Sequence, residues 1–300
     1  MQLGRLGAWI GALTVLPAAQ GREVAHEVEE LGFDTLWYPE GLGTRESFTN
    51  GAVLLGATTR LHVGSGIANI WARDPVATAN AARVLDDAYD GRFVLGLGVS
   101  HPRQVDPRGH RYDRPVATMR AYLEAMDDDP FVSPDGAGAP RRPVERVLAA
   151  LRPPMLRLAA EKAAGAHSYL VPVEHTRRAR EILGPAPVLV VEAKVVAGAT
   201  AVEARARGRA AIGWYLDTPN YRECLRWVGY GDDDLAGGGS DRLVDDLVAH
   251  GGEDAVVAHV EAHLAAGATQ VAIQPLGSSA DPAGVEVLRR LAPALTALRA

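Results

Sequence analysis

Several polar and aromatic side chains directly follow strand-like segments of the sequence, where parallel α/β proteins place reactive groups. They are Trp9, Glu40, Asn69, Ser100, His101, Tyr169 and Glu192. Taken singly, each is explained as well by packing or by a local hydrogen bond. Taken together, they supply an acid, an imidazole and aromatic walls, a set suited to a planar ligand and to general acid–base chemistry.

One strand–helix–strand unit, residues 61–101, organises several of these positions. Its first strand, LHVGSGI, is followed by an Asp-Pro helix start at 74–75, and Gly91 ends the helix before RFVLGLGV. A unit of this kind implies a parallel strand pair with a right-handed crossover. The residues after the two strands, 68–69 and 100–101, should therefore emerge at the same edge of the sheet.

The same alternation of strand and helix continues along the chain. Strand-like segments are predicted at 2–12, 33–40, 61–67, 92–99, 144–151, 165–171, 187–196 and 269–276. Helical patterns are predicted at 18–31, 46–59, 116–126, 155–163, 173–183, 200–212, 252–267 and 282–298, with a turn-rich loop at 127–143. Eight strands in this order predict a single-domain α/β protein, a (β/α)8 TIM barrel spanning 1–300. An insertion after strand seven runs from about 214 to 252 and contains a helix-like stretch at 241–251.

Two alternatives to this fold are disfavoured by the sequence. The first strand-like segment could be a signal peptide, but seven strands would then remain and the barrel could not close. A doubly wound sheet would be expected to carry a G-x-G-x-x-G motif, and both GSGIAN and GLGVSH lack the third glycine.

Composition excludes several functional classes. The net charge of −6 provides no basic field for nucleic acid or for an anionic membrane, and no apolar run approaches the length of a spanning helix. Cys224 is the single cysteine, which excludes an intramolecular disulfide and suits a reducing, cytoplasmic location. No G-x-S-x-G elbow or P-loop is present.

A metal-dependent hydrolase is the weaker enzyme alternative. His259 and His263 have the i, i+4 spacing of a zinc pair, but no glutamate follows His259, and a solvated helix face is the simpler interpretation. His101, His167 and Glu40 stand at strand ends where such barrels place ligands. The H-x-H pair that many of them carry after strand one is absent, and we expect no metal.

The chain resembles the bacterial-luciferase-like monooxygenase superfamily, and within it the branch of oxidoreductases that use the deazaflavin coenzyme F420. The resemblance covers nearly the whole chain, through LGFDTLWYPE, VGSGIANIWARDP, GRFVLGLGVSH, GAHSYLVPVEHT and PNYRECLRWVGY. It implies a TIM barrel that binds a flavin or deazaflavin at its C-terminal mouth. It also implies a non-prolyl cis peptide in strand three, at Gly66-Ile67 or a neighbouring bond.

The resemblance assigns residues to the site. Glu40 and His101 are expected to protonate or polarise the substrate, with burial raising the pKa of Glu40 as suits a general acid. The expected cofactor-binding residues are Trp9, Gly66, Ile67, Ala68, Asn69, Ser100, Leu151, Arg152, Met155, His167 and Tyr169. The turn after strand five should present backbone N–H groups to the cofactor phosphate at the start of the next helix.

This chain departs from the family pattern at two points. Relatives commonly have Gly-Pro-Lys where this chain has Arg152-Pro153-Pro154, which removes a lysine from the expected phosphate cradle. Some deazaflavin dehydrogenases carry a glutamate where this chain has Val99, so sugar-phosphate dehydrogenase activity is not expected.

The sequence therefore predicts an F420-dependent oxidoreductase that moves a hydride between a deazaflavin and a small organic substrate, as a homodimer. Two alternatives stay open. One is an FMN-dependent monooxygenase, and the other is a cofactor-free barrel with a binding role, which the altered turn at Arg152 motivates.

Overall fold

Eight parallel strands close into a barrel in the computed structural model, which describes residues 1–128 and 144–299. In chain order the described strands are β1 (Leu6–Trp9), β2 (Thr35–Tyr38), β3 (His62–Ser65), β4 (Ala68–Asn69), β5 (Phe93–Gly98), β6 (Arg146–Ala149), β7 (Gly165–Ser168), β8 (Val188–Ala197), β9 (Val248–Gly251) and β10 (Gln270–Pro275). The barrel runs β1-β2-β3-β5-β6-β7-β8-β10, and β10 pairs with β1 to close it. The predicted (β/α)8 fold is confirmed, with the first segment of the chain as a barrel strand.

Helices surround the barrel on the outside. They are α1 (Ala18–Glu30), α2 (Ser47–Leu55), α3 (Pro75–Ala88), α4 (Pro102–Val105), α5 (Pro115–Asp127), α6 (Pro153–Lys162), α7 (Val173–Leu183), α8 (Ala201–Leu216), α9 (Pro219–Trp227), α10 (Asp232–Leu235), α11 (Asp241–Leu247), α12 (Glu253–Ala265) and α13 (Val285–Thr296). Short 3-10 turns lie at Gly11–Thr14, Asp106–Arg108 and Ala297–Arg299. The predicted loop at 127–143 falls mostly outside the described residues.

Local sequence explains where individual helices begin. The Asp74 carboxylate accepts a hydrogen bond from the Ala77 N–H, with Pro75 at the first helical position of α3, as predicted. Thr200 and Glu203 form a reciprocal capping box at the start of α8. These side chains satisfy N–H groups that the first helical turn leaves without a partner.

The insertion after β8 differs from its prediction in two places. Helix α8 continues to Leu216 instead of ending at 212, so Trp214 and Tyr215 belong to its last turn. The helix-like stretch at 241–251 divides into α11 and the strand β9. Since β7 ends beside Val191, the rest of β8 has a free edge on that side, and β9 covers it by pairing with Lys194–Ala197.

The core has two layers, as barrels require. The larger one lies between the strands and the helices. A smaller cluster fills the barrel interior, around Trp9, Trp37, Val94, Val147 and Val190. Among the residues that the structure describes, none of the helices combines the length and the apolar character needed to cross a bilayer.

Candidate active site

A cavity of about 360 Å³ opens at the C-terminal mouth of the barrel. Most of the residues predicted from sequence line it: Trp9, Glu40, Gly66, Ile67, Ser100, His101, Leu151, Arg152, Met155, His167 and Tyr169. Ala68 and Asn69 do not line it, because they form β4, which lies behind the wall and pairs with β5. Strand ends distant in sequence thus meet in one cleft, as the barrel topology demands.

The wall next to β3 is a bulge built on a cis peptide. The Gly66–Ile67 bond is cis, at the position that the family resemblance predicts. The backbone leaves the β3 ladder here, and the Ser65 hydroxyl bridges the gap by donating to the Gly96 carbonyl at 2.8 Å and accepting from the Gly96 N–H at 2.9 Å. A Cβ at Gly98 would lie 2.5 Å from the Ile67 side chain, so that glycine makes room for the bulge.

Two buried ring nitrogens lie beneath this bulge. Within the described residues, neither the Trp9 Nε1–H nor His167 Nε2 has a hydrogen-bond partner. A Cβ built on Gly66 would lie 2.8 Å from Trp9 Nε1 and 3.4 Å from His167 Nε2, so both nitrogens face that residue. Burial lowers the pKa of His167 to about 4, which keeps its ring neutral. Unmet hydrogen bonding of this kind is unusual in a protein interior. Since both nitrogens are buried beneath Gly66, a ligand in the cavity would contact the bulge and not these atoms.

The environment of Glu40 differs from the predicted one. Its carboxylate is buried and is held by two side-chain N–H groups of Arg73 and by the backbone N–H groups of Ser47, at 3.2 Å, and Asn69, at 2.7 Å. Burial alone would lower the pKa of Arg73, but its bonds to Glu40 and the charges of Glu40 and Glu46 raise it. Four donors thus occupy both carboxylate oxygens, as in a structural ion pair, and leave none of them free to turn toward a substrate. Glu40 instead ties the bulge, through Asn69, to α2 and to Arg73.

His101 is the side chain best placed for proton chemistry. It follows β5, directly after Ser100, whose φ of 57° turns the chain toward the cavity. The imidazole packs against Trp214 and Tyr221, with ring centroids 5.7 and 5.5 Å away. Burial lowers its pKa, so the ring is neutral at neutral pH. No described residue makes a hydrogen bond with the His101 ring, which lines the cavity and is therefore available to a ligand.

The insertion supplies an aromatic wall that the sequence reasoning did not anticipate. Trp214 and Tyr215 from α8 and Tyr221 from α9 all line the cavity. Tyr215 donates its hydroxyl to the Tyr169 hydroxyl at 3.2 Å, and Tyr169 packs against Trp9 with ring centroids 5.0 Å apart. The available sequence signal was the aromatic cluster W-Y-x5-Y at 214–221, which becomes meaningful only when α8 is extended by one turn.

Glu192, another strand-end candidate, does not reach the cavity. It is fully buried and pairs with the equally buried Lys194, whose Nζ lies 3.1 Å from the Glu192 carboxylate. The same Nζ lies 3.9 Å from the ring centroid of Tyr169. The pair therefore packs against Tyr169, which lines the cleft.

The predicted phosphate cradle at the start of α6 is wrong in one respect. Pro153 and Pro154 occupy the first two helical positions and have no N–H, and the Met155 N–H donates to the Arg152 carbonyl at 3.1 Å. The first turn of α6 therefore offers no free backbone donor to an anion. The Arg152 side chain is exposed at the rim, with its Nε 3.2 Å from the Asn220 amide oxygen.

His259 and His263 are not on a solvated face, contrary to the prediction. His263 is fully buried, and its Nδ1 lies 2.8 Å from the Thr176 hydroxyl on α7. Helix α12 packs this face against the barrel layer, and burial lowers the pKa of both rings. In the described residues, the one cluster with metal-ligand geometry is His26, Glu29 and Glu30, and Glu29 is already bound by three backbone N–H groups.

Comparison with known proteins agrees with this architecture. The family model described as luciferase-like monooxygenase matches residues 2–270. A Mycobacterium tuberculosis protein named "Putative coenzyme F420-dependent oxidoreductase" is 34% identical over 123 residues, which span 41% of this chain and only 35% of that relative.

Two solved structures show the same fold at low identity. The coenzyme F420-dependent tetrahydromethanopterin reductase from Methanopyrus kandleri superposes with a TM-score of 0.77 at 15% identity, over 100% of both chains. The oxygenating constituent of 3,6-diketocamphane monooxygenase from Pseudomonas putida, in complex with FMN, superposes with a TM-score of 0.73 at 17% identity, over 97% of both chains.

Proposed function

The chain belongs to the luciferase-like monooxygenase family, and we propose that it is an F420-dependent oxidoreductase that transfers a hydride between a deazaflavin and a small organic substrate. The observation that carries this proposal is the bulge at Gly66–Ile67, which faces the cavity with unpartnered ring nitrogens beneath it. The partial relative named for coenzyme F420 favours the deazaflavin over FMN.

The residues around the bulge fit a planar tricyclic ring. Trp9, Ile67 and Tyr169 form an apolar cradle on one side of the cavity, against which a planar ring would stack. We assign ring binding to these residues together with Gly66. Ser100, Leu151 and Met155 would complete the contact around the ring and its side chain.

The other end of the cavity would hold the anionic tail. Since the first turn of α6 has no free N–H group, we assign the phosphate contact to the Arg152 guanidinium. A side-chain contact at an exposed rim is screened by salt more strongly than a buried backbone cradle. Cofactor affinity should therefore fall as ionic strength rises.

His101 is assigned the proton chemistry. When bound, a deazaflavin supplies a carbon centre that accepts or donates a hydride. A neutral His101 accepts the hydroxyl proton of a substrate alcohol while the hydride leaves its carbon, and the C=O bond forms. In the reverse direction, the protonated ring returns that proton to the oxygen. Lowering of the His101 pKa by burial favours the neutral base at neutral pH.

Assembly and location are further proposals that rest on the family resemblance and on composition. We propose a homodimer in the cytoplasm, since a lone, buried cysteine suits a reducing compartment. Light scattering of the purified protein measures the assembly directly.

A parallel fluorescence titration with F420 and FMN tests the cofactor assignment. We expect saturable, micromolar or tighter binding of F420, and about tenfold weaker binding in Tyr169→Leu, because the substitution removes an aromatic face from the cradle. Tyr89→Leu is the matched control, because Tyr89 lies outside the cavity at the end of α3.

Two other results of this titration would change the assignment. Tight binding of FMN instead of F420 would move the protein to the flavin-dependent monooxygenases. Binding of neither cofactor by folded protein, verified by circular dichroism, would overturn the redox assignment and favour a cofactor-free barrel.

A further inference from the structure

The charges and walls of the cleft also restrict what it binds besides a cofactor. We propose that the cleft selects a small, uncharged, largely apolar molecule with one carbonyl or hydroxyl oxygen, and that His101 binds that oxygen. The catalytic meaning of this preference rests on the proposed function, but the binding preference can be measured without any cofactor.

The first argument is the charge of the lining. Glu40 and Arg73 neutralise each other, with side chains only 3% and 12% exposed. Arg152 lies at the rim, in contact with solvent and with Asn220. Among the described residues that line the cavity, no unpaired charge remains in its interior.

The tyrosines of the lining add no charge to the cavity. Burial raises the pKa of Tyr112, Tyr169 and Tyr221, so all three hydroxyls stay uncharged at neutral pH. A carboxylate or an ammonium group would lose its hydration on entering the interior of the cleft, where, past Arg152 at the rim, the described lining offers no unpaired opposite charge. An uncharged molecule avoids that penalty.

The second argument is the hydrogen bonding that the lining leaves free. His101 packs against two aromatic rings, and no described residue makes a hydrogen bond with its imidazole. A neutral imidazole has one N–H donor and one acceptor nitrogen. It can therefore donate to a carbonyl oxygen or accept from a hydroxyl, which are the two forms that one substrate takes before and after hydride transfer.

The third argument is size and surface. The cavity of about 360 Å³ is near the small end of the range for ligand sites, roughly 300–1,000 Å³. The rings of Trp214 and Tyr221 pack against His101, and the lining also includes the apolar side chains of Val99, Pro115 and Val116. Once a tricyclic ring occupies the opposite side, the remaining space is small and mainly apolar.

A series of matched cyclohexane derivatives separates charge from shape. The purified protein is titrated at pH 7.5 with cyclohexanone, cyclohexanol, cyclohexanecarboxylate and cyclohexylammonium, and tryptophan fluorescence reports binding in the cleft. We expect the two neutral compounds to bind at least about tenfold more tightly than either ion, because only the ions pay an uncompensated desolvation cost. The titration is repeated with F420 present.

Variants of one residue test the role of the imidazole. His101→Phe keeps an aromatic ring but removes the hydrogen bond, and it should weaken both neutral compounds about fivefold or more. His101→Gln, which can still donate and accept, should recover part of this loss. His110→Phe is the control, because that histidine is exposed and does not line the cavity.

Binding of cyclohexanecarboxylate as tightly as the neutral compounds, or more tightly, would overturn the inference. It would also be overturned if none of the four compounds bound, either with or without F420. These outcomes are distinct from failure of the redox proposal, which the F420 titration decides. Preference for the neutral compounds in a protein that binds no deazaflavin would keep the inference and remove the redox function.

Discussion

The Glu40–Arg73 pair should be coupled energetically, because it joins two buried charges on which the cavity wall depends. Arg73 binds both carboxylate oxygens of Glu40, and the same carboxylate accepts the Asn69 N–H in the segment that carries the cis peptide. The perturbation is a double-mutant cycle of Glu40→Gln, Arg73→Gln and the double variant.

The magnitude follows from burial. Arg73→Gln leaves a carboxylate that is 3% exposed without its counter-charge, and such losses cost about 3–5 kcal/mol of unfolding free energy. Glu40→Gln leaves the guanidinium partly compensated by Glu46, so its cost should be smaller. The double variant carries two neutral amides and should lose less than the sum of the single variants, with a coupling energy of about 2 kcal/mol or more.

Urea unfolding followed by circular dichroism measures all four corners of the cycle at pH 7.5. Arg120 and Glu161 provide the matched control, since they form a similar two-bond pair on the exposed surface and should couple much more weakly. Additive losses for Glu40 and Arg73, within experimental error, would refute the reasoning that this pair is a structural tie.

Three further predictions concern stability. Burial lowers the pKa of His167 and His175 to about 4 and of His263 to about 3. The unfolded chain therefore binds protons that the folded chain excludes, and stability should fall as the pH drops from about 6.5 toward 4, by up to roughly 3 kcal/mol per histidine. Urea titrations at pH 7.5 and 4.5 measure this, His263→Gln should flatten the slope, and pH-independent stability would contradict it. Gly96→Ala should destabilise by about 1–3 kcal/mol, since its Cβ would lie 2.0 Å from the Ser65 carbonyl oxygen. Gly213→Ala, in open space within α8, should stabilise by about 0.5–1 kcal/mol, and equal melting temperatures of the two variants would count against this packing.

The barrel was predictable because its signal is repetitive. Strands buried on both faces appear as continuous apolar runs, and eight of them alternating with helices admit few topologies. The strand β4 was missed because two residues are too few for any periodicity, and β9 because its residues continue the apolar pattern of α11 without a turn signal between them. Their existence depends on free edges of β5 and β8, which only the assembled sheet reveals.

The site was predictable in its location but less so in its electrostatics. Strand-end positions identified most of the lining, since topology alone brings them together. The role of Glu40 depends on Arg73, which lies 33 residues later in the sequence. No local sequence pattern around either residue predicts this contact. Pro153 and Pro154 are a sequence signal that the first turn of α6 is poor in N–H donors, since proline has no N–H group.

The two sides of the cleft differ in how tightly packing constrains them. Gly66 and Ile67 are held by the barrel itself, because Gly98 has no space for a larger side chain and the Ser65 hydroxyl bonds both the carbonyl and the N–H of Gly96 on the neighbouring strand. Trp214 and Tyr221 come from the insertion, and Trp214 is 38% exposed. A substitution on the barrel side must disturb the sheet, whereas one on the insertion side changes mainly the shape of the cleft. On the proposed function, the barrel side would bind the ring, and the insertion side would set which substrate is accepted.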